Sequence, residues 1–327
     1  MPTSQSPVAE IGLLIYPDCQ LAAVYGLTDL FRIAGEWAAK VDGDTPPPFV
    51  RVSHWQALEG GADVGCCWDS HPGGPHRLTH VISPPSIVMP DKMAPMPAAA
   101  DWMKARHAEG SMLCSVCAGA FVLAETGLIN GRRATTHWAF AEQLAARYPD
   151  IELAEEHMVL DDGDIMTAGG ILAWIDLGLT LVERLMGPSV MLATARFLLI
   201  EPPRRSQRPY APFVPRFDHG DDAVRRSQHY IHAHSGDAQS VADLAALSGL
   251  GERTFLRRFV KATGFRPVEY LQQARIAKAR EALELTTMTV DQIAWNVGYG
   301  DPAAFRKIFR KLTGLSPALY RQKFGGV

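Results

Sequence analysis

One cysteine in this chain stands where a nucleophile could be made. Ser111-Met-Leu-Cys-Ser-Val116 reads as a strand and Gly119–Thr126 as a helix, so Cys117 falls on the sharp, small-residue turn between them. That is the geometry of a nucleophile elbow, with Cys in place of Ser. A thiol at a helix N-terminus sees the positive end of the dipole and exposed N–H groups, which favour the thiolate. His137, at the end of Ala134-Thr-Thr-His137, stands where a base or orienting group would. The chemistry such a pair supports is cysteine-dependent hydrolysis. With Ala118 and Gly119, the same residues would equally line a small-molecule pocket, and Cys114-x-x-Cys117 also has the spacing of a redox pair.

The remaining reactive side chains point to less. Cys66, Cys67, His71, His76 and His80 crowd one stretch, but their spacing fits no common structural zinc site, so we expect no metal and no cofactor. Five cysteines, an odd number and all in the first half, do not form a disulfide framework. Trp138 and Trp174 could box a cation, although core packing accounts for each.

A second chemistry, contact with phosphates and base edges, is written in the last third. Phe255, Phe259, Thr263, Gly264, Pro267 and Tyr270 recur as Phe305, Phe309, Thr313, Gly314, Pro317 and Tyr320. Upstream, Val241, Leu244, Ala245 and Gly249 correspond to Val290, Ile293, Ala294 and Gly298. Each copy reads as a short helix, a glycine turn and a longer helix whose phenylalanines at i and i+4 face inward. Glycine and then proline end it. That is a helix-turn-helix used twice. The outer faces carry Arg253, Arg257, Arg258 and Lys261 in one copy, and Arg306, Lys307, Arg310 and Lys311 in the other. Residues 223–327 hold 16 Lys and Arg against 8 Asp and Glu, whereas the preceding 222 residues hold 16 against 27. The chain's net charge of −3 therefore hides a basic module tied to an acidic one. Basic charge gathered on the second helix of each copy is what DNA binding requires, and it argues against a merely solvated bundle.

The elements that must hold these residues follow the chain. Ile11–Tyr16 is a continuously apolar strand, followed by a helix over 21–34 and a strand over 49–55. Residues 66–97 read as irregular, with one strand at Ser86–Met89. Helices follow at 98–108 and 138–147, a hairpin at 157–167, and helices at 171–185 and 189–199. Alternating β and α units predict an α/β sandwich with a mostly parallel, flavodoxin-like sheet over residues 1–201. Five prolines within 202–222 predict an extended linker. An all-α module then fills 223–327. There is no signal-like N-terminus and no apolar run approaching ~18 residues, so the expectation is a soluble, cytoplasmic protein that does not engage a membrane.

The last hundred residues, including Gly298-Tyr-Gly-Asp-Pro-Ala-Ala-Phe305 and Thr313-Gly-Leu-Ser-Pro317, resemble the AraC-type DNA-binding domain. The resemblance implies double-stranded DNA as partner, with two recognition helices in successive major grooves roughly one turn, ~34 Å, apart. It implies base-reading positions at Arg253, Thr254, Leu256 and Arg257, and at Pro302, Ala303, Ala304 and Lys307. Because Arg reads guanine bidentately and the alanines offer little beyond thymine-methyl contact, the first helix should carry most of the readout. Residues 117–138 are similar to the PfpI/ThiJ-type domain of the class I glutamine-amidotransferase-like superfamily, over roughly 10–190. That superfamily would make Cys117 the nucleophile and His137 its neighbour. Its acidic position falls here on Ala23, with Asp18 and Asp29 out of register, and its oxyanion turn falls on Met89-Pro-Asp-Lys92. Together the two resemblances point to the GlxA-like transcriptional regulators of the AraC family. They imply a homodimer that binds a small effector, such as a nitrogenous or quaternary-amine metabolite, and activates transcription with RNA polymerase. The competing readings are a hydrolase or isocyanide-hydratase-like enzyme with a DNA-binding tail, and a redox sensor.

Overall fold

The computed structural model describes residues 6–42, 48–58, 63–203 and 206–326. It divides into two units, Met1–Gln207 and Arg208–Val327.

The strands of the first unit are β1 (Ala9–Ile15), β2 (Val50–Ala57), β3 (Val64–Asp69), β4 (His80–Ser83), β5 (Met112–Val116), β6 (Arg133–Ala134), β7 (Glu152–Leu153), β8 (Val159–Asp161) and β9 (Ile165–Ala168). Seven form one sheet in the order β3-β2-β1-β4-β5-β9-β8, while β6 and β7 pair separately. The five central strands are parallel, and β3 and β8 add antiparallel edges. Counted alone, the parallel strands run 2-1-3-4-5, the flavodoxin-like order, whose switch point lies between β1 and β4. Ile11, Leu13 and Leu14 on β1 are all buried, as a strand covered on both faces must be.

Helices α1 (Leu21–Asp42), α2 (Pro97–Ala108), α3 (Gly119–Ala124), α4 (Ala141–Arg147), α5 (Trp174–Met186) and α6 (Pro188–Phe197) cover the sheet. Helices α1, α5 and α6 pack together, and α2 packs with α3. Gly26 lets α1 approach α5, since a Cβ there would stand 2.4 Å from the Trp174 ring. Trp174 is thus a packing residue.

The stretch 66–97 departs from its sequence reading. It contributes β3 and β4, and Ser86–Met89 is not a strand; only Ser86 bridges Cys19. β4 is four residues long and runs straight into Pro84-Pro85, so its periodicity is too short to register. Helix α1 continues past Ala34 because Gly35 serves close packing, with a would-be Cβ 3.2 Å from Pro48 O, rather than a break.

The second unit is all-helical: α7 (Asp222–Ala233), α8 (Val241–Leu247), α9 (Glu252–Thr263), α10 (Pro267–Leu285), α11 (Val290–Asn296), α12 (Pro302–Thr313) and α13 (Pro317–Phe324). Two cores form along it. Phe255, Phe259 and Tyr270 centre the first with Leu244 and Ile231. Phe305, Phe309 and Tyr320 centre the second with Ile293 and Leu283. Helix α10 serves both cores. The proline-rich stretch 202–222 is shared out. Gln207 is buried in the first unit, and Phe213 packs on the first helical core; residues 204 and 205 lie outside the described residues.

Candidate functional sites: a sealed cysteine turn and a nucleic-acid face

The strand–turn–helix around Cys117 forms as its residues dictate. Cys117 adopts φ 54°, the strained backbone of an elbow, at the C-terminal end of β5. Its N–H donates to Ala168 O at 2.7 Å, and its carbonyl accepts from the Thr136 hydroxyl at 2.8 Å. Gly119 is obligatory, because a Cβ there would lie 2.4 Å from Ser83 O and 2.5 Å from Pro84 O. The Tyr16 hydroxyl, at the end of β1, donates to Pro84 O at 2.6 Å. Burial, and then the neighbouring thiols of Cys19 and Cys117, raise Tyr16 far above its usual value. The site therefore sits at the carboxyl ends of β1, β4 and β5, beside the switch point, where open α/β sheets hold ligands.

Its electrostatics overturn the expected thiolate. Burial pushes the Cys117 thiol up to about 12, and the helping N–H of Ala118 offsets only part of this. Helix α3 has six residues, all buried, so its weak dipole works without water. Ala23, the position at which the resemblance expects an acid, is fully buried. The turn that the resemblance assigned to the oxyanion does not follow the strand beside the elbow. Met89–Lys92 lies on a separate short turn, and the strand flanking the elbow is β4. The turn after β4 is Pro84-Pro85, which has no N–H to donate.

His137 does not end a strand of the main sheet. It follows β6 and caps a single turn of 3-10 helix, with Nδ1 accepting from Ala139 N–H at 3.1 Å. Its ring packs against Trp138 and Phe140, and burial lowers its pKa. Among the described residues no hydrogen bond joins it to Cys117. Cys114 is buried within β5 and likewise pushed up to about 12, and both cysteines are free thiols.

Gln207 belongs to this site although the sequence reading placed it in the linker. Its amide is buried against Thr135, Thr136 and His157, and its Oε1 accepts from Trp138 N–H at 3.2 Å. A lone glutamine among prolines and arginines carries no periodicity; only the need of Gly169 for space would have pointed to it.

Among the described residues no group of His, Cys, Asp and Glu converges on a metal position. Cys66 donates to Trp68 O, Cys67 to His54 O, and His76 pairs with Glu10 at 2.6 Å in a buried ion cluster with Arg51 and Asp69.

In the second unit the residues expected to read DNA are presented outward. Arg253, Thr254, Leu256 and Arg257 are exposed on α9 while Phe255 and Phe259 are buried. Ala303, Ala304 and Lys307 are exposed on α12; Pro302 is half-buried. Two basic residues of the outer faces are engaged internally. Arg258 forms a two-point pair with Asp221 at 2.7 and 2.8 Å, and Arg306 pairs with Asp291. The helix starts also differ. No side chain caps α9, whose N-cap is Gly251, whereas the Asp301 carboxylate accepts from Ala303 N and Ala304 N at 2.9 and 3.2 Å on α12.

Residues 244–323 match the model of a helix-turn-helix domain, and residues 86–184 match that of the DJ-1/PfpI family. The chain is 28% identical over 225 residues to the HTH-type transcriptional regulator CdhR of Pseudomonas aeruginosa, covering 68% of this chain and 66% of that protein. It is 26% identical over 219 residues to the HTH-type transcriptional regulator GlxA of Rhizobium meliloti, covering 66% and 67%. The chain thus spans about two thirds of the length of these regulators. The first unit ends at residue 207, so neither alignment fits inside one unit. An isonitrile hydratase of Pseudomonas putida is 37% identical over 121 residues, covering 37% of this chain and 46% of that protein. A DJ-1/PfpI-type region followed by a helix-turn-helix domain, in alignments that cross from one unit to the other, makes the chain similar in architecture to HTH-type transcriptional regulators such as GlxA.

Proposed function

We propose that the chain is a sequence-specific, DNA-binding transcriptional regulator that responds to a small metabolite and is not an enzyme. Residues 1–201 sense, 202–222 connect, and 223–327 bind DNA. One observation carries this reading. Two copies of a single helix-turn-helix skeleton each bury their phenylalanines and leave the second helix outward, with Arg253, Thr254 and Arg257 on one and Lys307 on the other. The sensor reading of the first unit, with Cys117, Ala118, Gly119 and His137 at its pocket, is supported by the same features that disable catalysis. These are a protonated thiol, a methyl where an acid would serve, and prolines where oxyanion donors would stand. A homodimer in the cytoplasm that recruits RNA polymerase as an activator completes the proposal. No helix among the described residues is long and apolar enough to cross a membrane.

The test is selection of duplexes from a randomised pool by the full chain, followed by anisotropy titration with wild type and Cys117→Ser. A selected consensus bound equally by both proteins is expected. Failure to enrich any sequence sinks the reading, and turnover lost in Cys117→Ser would favour the enzyme. Iodoacetamide at neutral pH should label the exposed Cys66 and Cys67 and spare Cys117; rapid labelling of Cys117 would restore the nucleophile.

A further inference from the structure

Gln207 is the last residue of the first unit, and its amide nitrogen occupies a place built for more protons than it has. Nε2 lies 2.8 Å from Thr136 O, 2.9 Å from Glu155 O, 3.0 Å from His157 O and 3.2 Å from Thr135 Oγ1. A primary amide carries two N–H bonds. The Thr135 hydroxyl itself donates to His157 O at 3.1 Å, so three acceptors still share those two hydrogens. Such a cage of carbonyl oxygens suits a group with three N–H bonds and a full positive charge.

Two further observations point the same way. The surroundings are negative: partial burial, then the carboxylates of Glu156 and Glu142, raise the pKa of Glu155. Space is reserved too. A Cβ on Gly169 would stand 1.9 Å from Nε2 and 2.3 Å from Cδ, although the Gly169 backbone is not in the left-handed region that requires glycine.

We propose that the cage of Thr135, Thr136, Glu155 and His157 binds a small molecule bearing a primary ammonium group, for which Gln207 is the internal stand-in. The inference rests on reading the first unit as a sensor, and it names the chemistry of the sensed molecule. An entering ammonium displaces the Gln207 amide. Residue 208 opens the second unit, so the displaced segment is the covalent connection between sensor and DNA-binding halves. Thr136 links the cage to the elbow, with its carbonyl on Gln207 and its hydroxyl on Cys117 O. A quaternary ammonium, lacking N–H, satisfies none of the cage oxygens.

Calorimetry on the full chain tests this with methylammonium chloride and tetramethylammonium chloride at equal ionic strength. Gln207→Ala should bind methylammonium roughly tenfold more tightly than wild type, since no internal occupant must leave. Tetramethylammonium should give no heat with either protein. Methylammonium should also quicken exchange of the residue-207 backbone amide, which donates to Glu156 O at 2.9 Å in wild type, and in Gln207→Ala that amide should exchange fast without it. If Gln207→Ala does not fold, Gln207→Met keeps the bulk, removes both N–H groups and serves in the same titration. Equal affinity in wild type and variant, or equal binding of the two cations, overturns the proposal. Anisotropy on the selected duplex separates the two readings. DNA binding without the methylammonium effect rejects only the cage, and methylammonium binding without any DNA binding rejects only the regulator.

Discussion

The Phe255 and Phe259 rings meet at 5.3 Å between centroids and 57°; fifty residues on, Phe305 and Phe309 meet at 5.6 Å and 54°. Tyr270 stands edge-on to Phe259 at 5.4 Å, as Tyr320 does to Phe309 at 5.4 Å. The Thr263 hydroxyl donates to Phe259 O at 2.8 Å and accepts from Phe265 N at 3.2 Å; Thr313 repeats both with Phe309 and Leu315 at the same distances. Gly264 and Gly314 close their helices at φ 77° and 78°. Outside this shared interior the halves diverge. One helix starts without a side-chain cap and presents Arg253 and Arg257 outward, and the other starts under an aspartate and presents alanines. Packing tolerates few solutions, so the two interiors share their residues, while the surface answers only to what it touches.

The strongest way to break that equivalence is at its centre. Phe259→Ala and Phe309→Ala should each cost about 3–5 kcal/mol, because each removes a fully buried ring from a matching site. Denaturant titration of the helical unit within the full chain would measure both. A large difference between the two costs would mean that one core tolerates collapse and the other does not.

The surfaces should separate where the interiors agree. Arg257→Ala should weaken binding to the selected duplex by about 1–3 kcal/mol and weaken binding to scrambled duplex much less. Lys307→Ala should weaken both equally and reduce the salt slope by about 1. Titrations at several salt concentrations decide between them. Base preference lost through Lys307 instead of Arg257 would reverse the assignment of the reading helix.

How much of this was legible differs between the regions for a physical reason. The helical halves announce themselves because their residues recur in register. The inward phenylalanines, the closing glycines and the prolines at helix starts are local requirements that any copy must meet. The Cys117 turn was legible too, since a strand, small residues and a helix force the elbow. Its chemistry was not. The thiol's protonation depends on burial, and Tyr16 and Pro84, which close over the turn, come from distant parts of the chain. β4 was hidden by its shortness, and with it the fact that Pro84 and Pro85, not Met89–Lys92, flank the elbow. Gln207 was hidden because nothing in Ser206-Gln207-Arg208 announces burial.

Acid should tell the halves apart. His219, His229, His232 and His234 are the histidines after residue 207, and all lie in or just before the first half. His232 Nε2 meets the Tyr270 hydroxyl at 3.0 Å, and burial, then Lys278 and His229, lower its pKa from 6.5. A neutral histidine held below its unfolded value contributes stability that is present above about 6.5 and is lost as pH falls through the folded value. In the second half, Tyr320 donates instead to Glu284 at 2.6 Å. As pH falls from 7.5 to 5, protection of the amides, corrected for their intrinsic exchange rate, should therefore fall in α7 and α9 before α12, and His232→Gln should remove the step. Equal loss of protection in α12 would place the pH response outside this contact.

The smallest effect probes the helix starts. Gly251 already has the extended backbone of an N-cap, at φ −69° and ψ 148°, so Gly251→Asp installs on α9 the carboxylate that Asp301 supplies to α12. Glycine is itself an acceptable cap, so the gain in stability should be only a few tenths of a kcal/mol. DNA affinity should move the other way. The new carboxylate would occupy N–H groups that an uncapped first turn offers to a phosphate, and would set a negative charge at the dipole's positive end. A variant that melts slightly higher and binds duplex more weakly would make the first half behave like the second. One that melts higher and binds as before would place the start of α9 away from the phosphates, and leave Arg253, Thr254 and Arg257 as the whole of its contact.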